Sequence, residues 1–157
     1  MTRSSWLAVA AVALLSLGCA RGQVDTAVAG AGDGMDATRT VYLGTFGRTP
    51  DAQTAREQMR LALIEQGRFT VVETESAADA VIRGDVVLRR GSSGRLRDAQ
   101  VFGELRLLRA RSGRLLWQGR YEPRDIEPIS NETPPSTLIH RLVLQLSEEL
   151  HRAAGPT

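Results

Sequence analysis

Two stretches of the chain repeat apolar residues at the spacing of an amphipathic helix. The first predicted helix begins after Thr49, with Pro50 in its first turn, and ends before Gly67. The second begins near Pro135 and ends by Ala154. The first stripe comprises Ala52, Ala55, Met59, Ala62 and Leu63, and the second comprises Leu138, Ile139, Leu142, Leu146, Leu150 and Ala153. Both stripes are expected to face a core.

Five other stretches are rich in β-favouring residues and are predicted strands, at 40–46, 69–73, 80–88, 98–110 and 114–121. The third of them alternates cleanly. Its apolar face comprises Ala80, Ile82, Gly84, Val86 and Leu88, and its other face comprises Val81, Arg83, Asp85, Val87 and Arg89. A period of two with one apolar face indicates a sheet that is covered on one side.

These elements follow the order β-α-β-β-β-β-α. The initial strand, helix and strand favour a parallel crossover, whereas the later strands favour antiparallel hairpins. Both helices need somewhere to bury their stripes. The predicted fold is therefore α+β: a two-layer sandwich in which two helices lie on one face of a mixed, mostly antiparallel sheet. One domain is expected, over residues 38–154.

The amino terminus has the parts of a secretory signal. A cation, Arg3, precedes an apolar run from Trp6 to Leu17 that is roughly 12 residues long, too short for the about 20 residues of a spanning helix. Gly18 and Cys19 follow, and Cys19 is the only cysteine in the chain. The stretch 15–19 resembles the lipobox of bacterial lipoproteins, in which the signal is cut before the cysteine and the thiol is acylated. The alternative is an ordinary secreted protein that is cut nearby.

Residues 1–18 are thus predicted to be a lipoprotein signal peptide, and residues 19–37 a flexible tether made of small and polar residues. Acylation of Cys19 would leave no thiol for a disulfide, so the core alone would hold the fold. The residue after Cys19 is Ala20, whereas aspartate at this position is the usual inner-membrane retention signal of bacterial lipoproteins. The sequence therefore favours a lipid-anchored protein of the outer membrane that faces the periplasm.

The charged residues argue against some classes of function. The 20 basic residues are all arginine and stand against 18 acidic residues, for a net charge of +2. This balance does not indicate nucleic-acid binding, and no nucleic-acid-binding motif is present. The most concentrated basic group surrounds the glycine-rich loop at 91–94 and comprises Arg89, Arg90, Arg95 and Arg97. These arginines are candidate contacts for an anionic lipid or glycan, and the alternative is a solvated hairpin tip.

Three segments resemble a known group of proteins. Residues 61–72 and 78–86 and the hairpin 107–117 are similar to segments of bacterial envelope lipoproteins with a CsgG, TolB amino-terminal or LptE-like α/β domain. The resemblance implies the same α+β fold and a non-enzymatic role in envelope assembly or secretion. It does not extend to a pore, because the chain is too short for long membrane-inserting hairpins.

No catalytic signature accompanies this pattern. His140 and His151 lie on the last predicted helix without a metal-ligand pattern, and Ser92 and Ser93 do not form a nucleophile elbow. No cofactor and no metal site are expected. A small periplasmic hydrolase is the weakest of three functional hypotheses.

The preferred hypothesis is a lipid-anchored accessory or scaffold protein that presents its domain to an envelope protein partner. The partner surface would be a sheet edge or the sheet face without helices, to which Val81 and Val87 are expected to give apolar area. The other hypothesis is a lipopolysaccharide- or glycan-binding assembly lipoprotein that uses the arginine-rich hairpin.

Overall fold

The computed structural model describes residues 23–27, 34–89, 99–123 and 134–155, with the backbone alone for 23–27. The strands are β1 (Gln23–Ala27), β2 (Thr40–Leu43), β3 (Thr70–Val72), β4 (Ala80–Arg89), β5 (Gln100–Arg109) and β6 (Leu115–Glu122). The helices are α1 (Pro50–Gln66) and α2 (Pro135–Ala153), and Glu75–Ala77 forms a 3₁₀ turn. The predicted fold class and element order are confirmed, with β1 as an additional first strand.

The six strands form one mixed sheet in the order β1-β6-β5-β4-β2-β3. Strand β2 is parallel to both β3 and β4, whereas β4, β5, β6 and β1 pair antiparallel in turn. Helix α1 therefore makes the parallel crossover from β2 to β3 that the sequence predicted. The predicted first strand extends beyond β2, and the backbone of Gly44 and Phe46 continues to bond with that of β4.

The helix boundaries follow from local chemistry. The side chain of Thr49 accepts a hydrogen bond from the backbone N–H of Ala52 at 3.1 Å, which caps α1, and Gly67 ends the helix at φ +66°. Near the end of α2, Arg152 pairs with Glu149 at 2.6 Å.

A single core lies between the sheet and the two helices. Helix α1 packs beside α2, and both contact strands of the sheet. Their apolar stripes meet the inward residues of β4, β5 and β6, as the periodicity predicted. The largest fully buried side chains are Trp117, Phe46, Leu43, Met59, Leu63, Ile82, Leu105, Leu107, Ile139, Leu142, Leu146 and Leu150. Among the described residues, neither helix combines the length and apolar content needed to span a bilayer.

The described part of 19–37 is built into the fold, and the prediction of a flexible tether does not hold there. Strand β1 pairs with β6 over five residue pairs. Met35 is buried, and Arg109 donates a hydrogen bond from Nη2 to the carbonyl oxygen of Gly34 at 2.8 Å. The outer edge of β6 has unpaired backbone groups, and β1 satisfies them although its composition is weakly β-favouring.

Asp79 fixes the position of β2 beside β4. Its Oδ2 accepts hydrogen bonds from the backbone N–H groups of Arg39 and Thr40, each at 2.9 Å, and its own N–H donates to Oγ1 of Thr40 at 2.9 Å. The bonds from the Thr40 and Arg39 backbone, with a smaller contribution from the charge of Arg109, lower the pKa of Asp79 below its ordinary value of 3.8.

Candidate functional site: the helix-free face of the sheet

The candidate site is the face of the sheet on which neither of the described helices, α1 and α2, packs. Strands β4, β5 and β6 line a groove of about 590 Å³ on this face. Gly103, on the core side of β5, contacts Leu142 of α2, so its neighbours in the strand point away from the helices. We call this surface the helix-free face, with the side chains Arg83, Asp85, Val87, Arg89, Phe102, Glu104, Arg106, Arg120 and Glu122.

The strand register places like charges opposite each other. Arg83 of β4 lies opposite Arg106 of β5 in the register. Two residues further along β4, Asp85 lies opposite Glu104. Directly opposed side chains in an antiparallel pair lie about 5 Å apart at Cβ, where like charges destabilise the sheet. The face therefore carries one basic row and one acidic row next to each other.

Ion pairs relieve part of this repulsion from the sides. Glu104 contacts Arg106 on its own strand and Arg120 on β6, the latter at 3.9 Å. Arg120 also reaches Glu122 at 3.5 Å. Arg83 pairs with Glu75 at 3.2 Å. Asp85 has no ion pair within the described part of the chain, so the acidic row keeps an unmatched carboxylate.

An apolar patch adjoins the charged rows. Val87 is 42% exposed, and its partner in the register is Phe102. The guanidinium of Arg89 lies over the ring of Phe102, 4.9 Å from its centroid. This cation–π contact holds the side chain of Arg89 at the edge of the groove.

Val81 does not give this face the exposed apolar area that the sequence predicted. It lies on the predicted side of β4 but is only 2% exposed. Its register partners, Tyr42 on β2 and Leu108 on β5, are both partly buried apolar residues that flank it on the same face. A strand in the interior of the sheet has neighbours on both sides, and these cover a short branched side chain.

The structure describes only some of the residues that the sequence predicted as site residues. Of the four hairpin arginines, Arg89 is described, whereas Arg90, Arg95 and Arg97 lie outside the described residues, as do Gly18 and Cys19. His140 and His151 are exposed on α2. Within the described residues there is no group of three His, Cys, Asp or Glu side chains that could hold a metal ion.

The chemistry of the face suits binding. The described residues that line the groove offer guanidinium groups, carboxylates, one phenyl ring and one tyrosine, which can form ion pairs, hydrogen bonds and aromatic contacts with a partner. A second groove of about 480 Å³ lies beside the loop after β2. There Arg56 donates from Nη2 to the carbonyl oxygen of Leu43 at 2.8 Å and from Nε to that of Gly44 at 2.9 Å, so its charge already serves the fold.

The sequence predicts the helix-free face but not its rows of like charge. Period-two alternation placed Arg83 and Asp85 on one side of β4, and the two-residue spacing of Glu104 and Arg106 puts them on one side of β5 in the same way. Their opposition depends on the register between the strands, which the connection at 90–98 does not fix by any recognisable turn. One sequence signal bears on this register. The order is basic then acidic along β4, from Arg83 to Asp85, and acidic then basic along β5, from Glu104 to Arg106.

No protein-family model and no curated protein sequence matches the chain. Among solved structures, it is similar to a PelC dodecamer variant from Paraburkholderia phytofirmans, with a TM-score of 0.59 and 16% identity over 82% of this chain and 96% of that one. It is also similar to a DUF4136 family protein from Bacteroides thetaiotaomicron, with a TM-score of 0.51 and 8% identity over 84% and 95% of the two chains.

A PDZ domain protein from Parabacteroides distasonis is similar at a TM-score of 0.53 and 13% identity, over 80% of this chain and 35% of that one. These identities are low, so the likenesses concern the fold. The architecture of this chain is one that solved bacterial proteins share.

Proposed function

We propose that the chain is a lipid-anchored accessory protein of the bacterial envelope, located at the outer membrane and facing the periplasm. It is non-enzymatic and holds an envelope protein partner on the helix-free face of its sheet. The observation that carries this proposal is the open groove over β4, β5 and β6, which offers charged groups and exposed apolar area to a partner.

The anchor is supported by the sequence. The short apolar run that ends in Gly18 and Cys19 resembles a lipoprotein signal. Each acyl CH₂ that enters a bilayer contributes about 0.8 kcal/mol, and stable attachment takes more than one chain. A cysteine with a diacylglycerol group and an acylated amine satisfies that requirement.

The anchor is tested by metabolic labelling with a palmitate analogue followed by membrane fractionation. The wild-type chain is expected to take up the label and to sediment with the outer membrane after a high-salt wash. The Cys19→Ser variant is expected to lose the label and the attachment, and Ser16→Ala is a control that keeps the thiol. An unlabelled wild-type chain would overturn the lipid anchor.

The partner surface is tested by site-specific crosslinking in intact cells. Because Cys19 is the only cysteine and would be acylated, an introduced cysteine is the only free thiol in the chain. Val87→Cys lies on the helix-free face, and Leu61→Cys is a matched control on α1, where Leu61 is 59% exposed. A short bifunctional reagent is expected to capture a protein from position 87 and not from position 61. Equal capture from both positions would contradict the assignment.

A second candidate function is the binding of an anionic glycan or of lipopolysaccharide through the arginine-rich hairpin. The contact between Arg89 and Phe102 favours it, because this contact fixes one of the four arginines at the edge of the groove. Replacement of Arg89, Arg90, Arg95 and Arg97 by Gln is expected to abolish cosedimentation with vesicles that contain lipopolysaccharide. Arg48→Gln with Arg60→Gln is the control, and unchanged binding by the hairpin variant would exclude this function.

A further inference from the structure

The helix-free face has an order of rows that is complementary to itself. Successive residue pairs across β4 and β5 on this face are apolar, basic, acidic and apolar. The pairs are Val81 with Leu108, Arg83 with Arg106, Asp85 with Glu104, and Val87 with Phe102. Reading the rows from the opposite end exchanges the basic row with the acidic row and the two apolar rows with each other.

From this order we propose that the partner held on the helix-free face is a second copy of this chain, related by a two-fold axis. The inference rests on the proposed function, because it identifies the occupant of the same surface. The axis would run across the strands, between the basic row and the acidic row. A two-fold contact uses one patch twice and closes as a dimer.

The rotation brings opposite charges together. It reverses the strand direction while keeping β4 over β4 and β5 over β5. Arg83 then faces Asp85 of the second copy, and Arg106 faces Glu104 of the second copy. Each contact occurs twice by symmetry, so four interstrand repulsions within the two separate chains are each offset by an attraction across the interface.

The same two-fold rotation also brings the apolar rows on either side of the charged rows into contact. Adjacent rows on one face of a strand are about 6.8 Å apart, so the two apolar rows lie at equal distances from the axis. Val87 and Phe102 come over the apolar row in which Tyr42 and Leu108 flank the buried Val81. Packed sheets lie about 10 Å apart with strand directions within about 30° of each other, which leaves room for these side chains to interdigitate.

The area that the dimer would bury determines how tightly the two copies bind. Ten-residue strands extend about 34 Å, and three strands span about 14 Å, so each copy would bury on the order of 450 Å². The total of about 900 Å² is smaller than the about 1,200 Å² at which stable specific interfaces begin, and lies in the range of weak, transient contacts; the surface is also strongly polar. The dimer is therefore expected to be weak in dilute solution and sensitive to salt, whereas confinement to a membrane surface raises the local concentration.

Charge exchange at one contact tests the geometry. The full-length protein is purified in density-matched detergent and studied by sedimentation equilibrium. Arg106→Glu and Glu104→Arg are each expected to weaken self-association about tenfold or more, because each places like charges at two symmetry-related contacts. An equal mixture of the two variants is expected to recover the wild-type constant. In the mixed dimer Glu at 106 meets Arg at 104 in one contact, and the other contact keeps the wild-type Arg106 and Glu104, so both contacts join opposite charges. A change in folding of either chain does not account for such recovery.

Arg48→Glu is the matched control, since Arg48 is exposed in the loop before α1. It is expected to dimerise like the wild type, and thermal melts verify that all variants fold. A monomeric wild type, wild-type association by both single variants, or a mixture that remains monomeric would each overturn the proposal. If the wild type is monomeric but Val87→Cys captures a different protein in cells, the proposed function stands and the self-association fails.

Discussion

The guanidinium of Arg68 donates a hydrogen bond from Nη2 to the carbonyl oxygen of Ala154 at 3.2 Å, which joins the segment between α1 and β3 to the end of α2. Its Nη1 donates to the carbonyl oxygen of Thr38 at 3.3 Å. Arg68 is 6% exposed, and its ring contact is with Phe69, 5.1 Å from the centroid. The carbonyl groups at the end of α2 carry partial negative charge, so backbone dipoles offset the buried cation.

Removal of this cation is expected to destabilise the fold. Arg68→Ala leaves two buried carbonyl groups without donors and opens the packing beside Phe69, so we expect a loss of about 2–3 kcal/mol in the free energy of unfolding. Urea denaturation measures it. Arg60→Ala on the solvent side of α1 is the control, with a change within about 0.5 kcal/mol. Equal stability of the two variants would show that the hydrogen bonds from Arg68 contribute nothing to the free energy of unfolding.

The hydrogen bonds to Asp79 predict a dependence of stability on acid pH. Because the folded state lowers the pKa of Asp79 below 3.8, the carboxylate binds its proton less tightly when the chain is folded. Its contribution is therefore complete above the ordinary carboxyl pKa and is lost as the pH falls through the lower folded value. Asp79→Ala is expected to lose about 1–2 kcal/mol at pH 7, with a smaller difference from the wild type at pH 2.

Unfolding by urea between pH 2 and pH 7 measures this difference. Glu65→Ala, an exposed carboxylate on α1, is the matched control and is expected to follow the wild type at every pH. A difference between Asp79→Ala and the wild type that stays constant down to pH 2 would mean that the ionised form of the carboxyl group has no special role.

The two valines of β4 that share a face are expected to respond differently to a charge. Val81→Lys introduces an ammonium group at a position that is 2% exposed, and we expect a loss of about 3 kcal/mol or more. Val87→Lys, at 42% exposure, is expected to stay within about 0.5 kcal/mol of the wild type. Thermal denaturation compares them, and similar losses would contradict the difference in burial between the two positions.

Those two valines also show what periodicity predicts. Alternation assigned both residues to the face without helices, and this assignment is correct. It did not predict that Tyr42 and Leu108 flank Val81, because the neighbours of a strand depend on pairings between distant segments. The same limit applies to the charge rows, since the partner of Arg83 is set by a register that no short turn specifies.

The elements that were predicted well are those whose signals are local. Helix α1 has a capping threonine, a first-turn proline and a terminal glycine, and its predicted limits agree with Pro50–Gln66. Strand β1 was missed because its residues favour a strand only weakly by themselves. It forms where the edge of β6 offers a partner, so its strand conformation comes from pairing and not from propensity.

Gly103 and Leu142 provide a test of packing between the sheet and α2. A Cβ at Gly103 would lie 2.6 Å from a methyl carbon of Leu142, so Gly103→Ala is expected to cost about 1–3 kcal/mol. Leu142→Ala removes a fully buried side chain and is expected to cost about 2–5 kcal/mol. In the double variant the added methyl group occupies part of the vacated space. Its loss of stability, measured by urea denaturation, is expected to be at least about 1 kcal/mol smaller than the sum of the two single losses. Additive losses would show that α2 shifts away from the sheet instead of packing against this glycine.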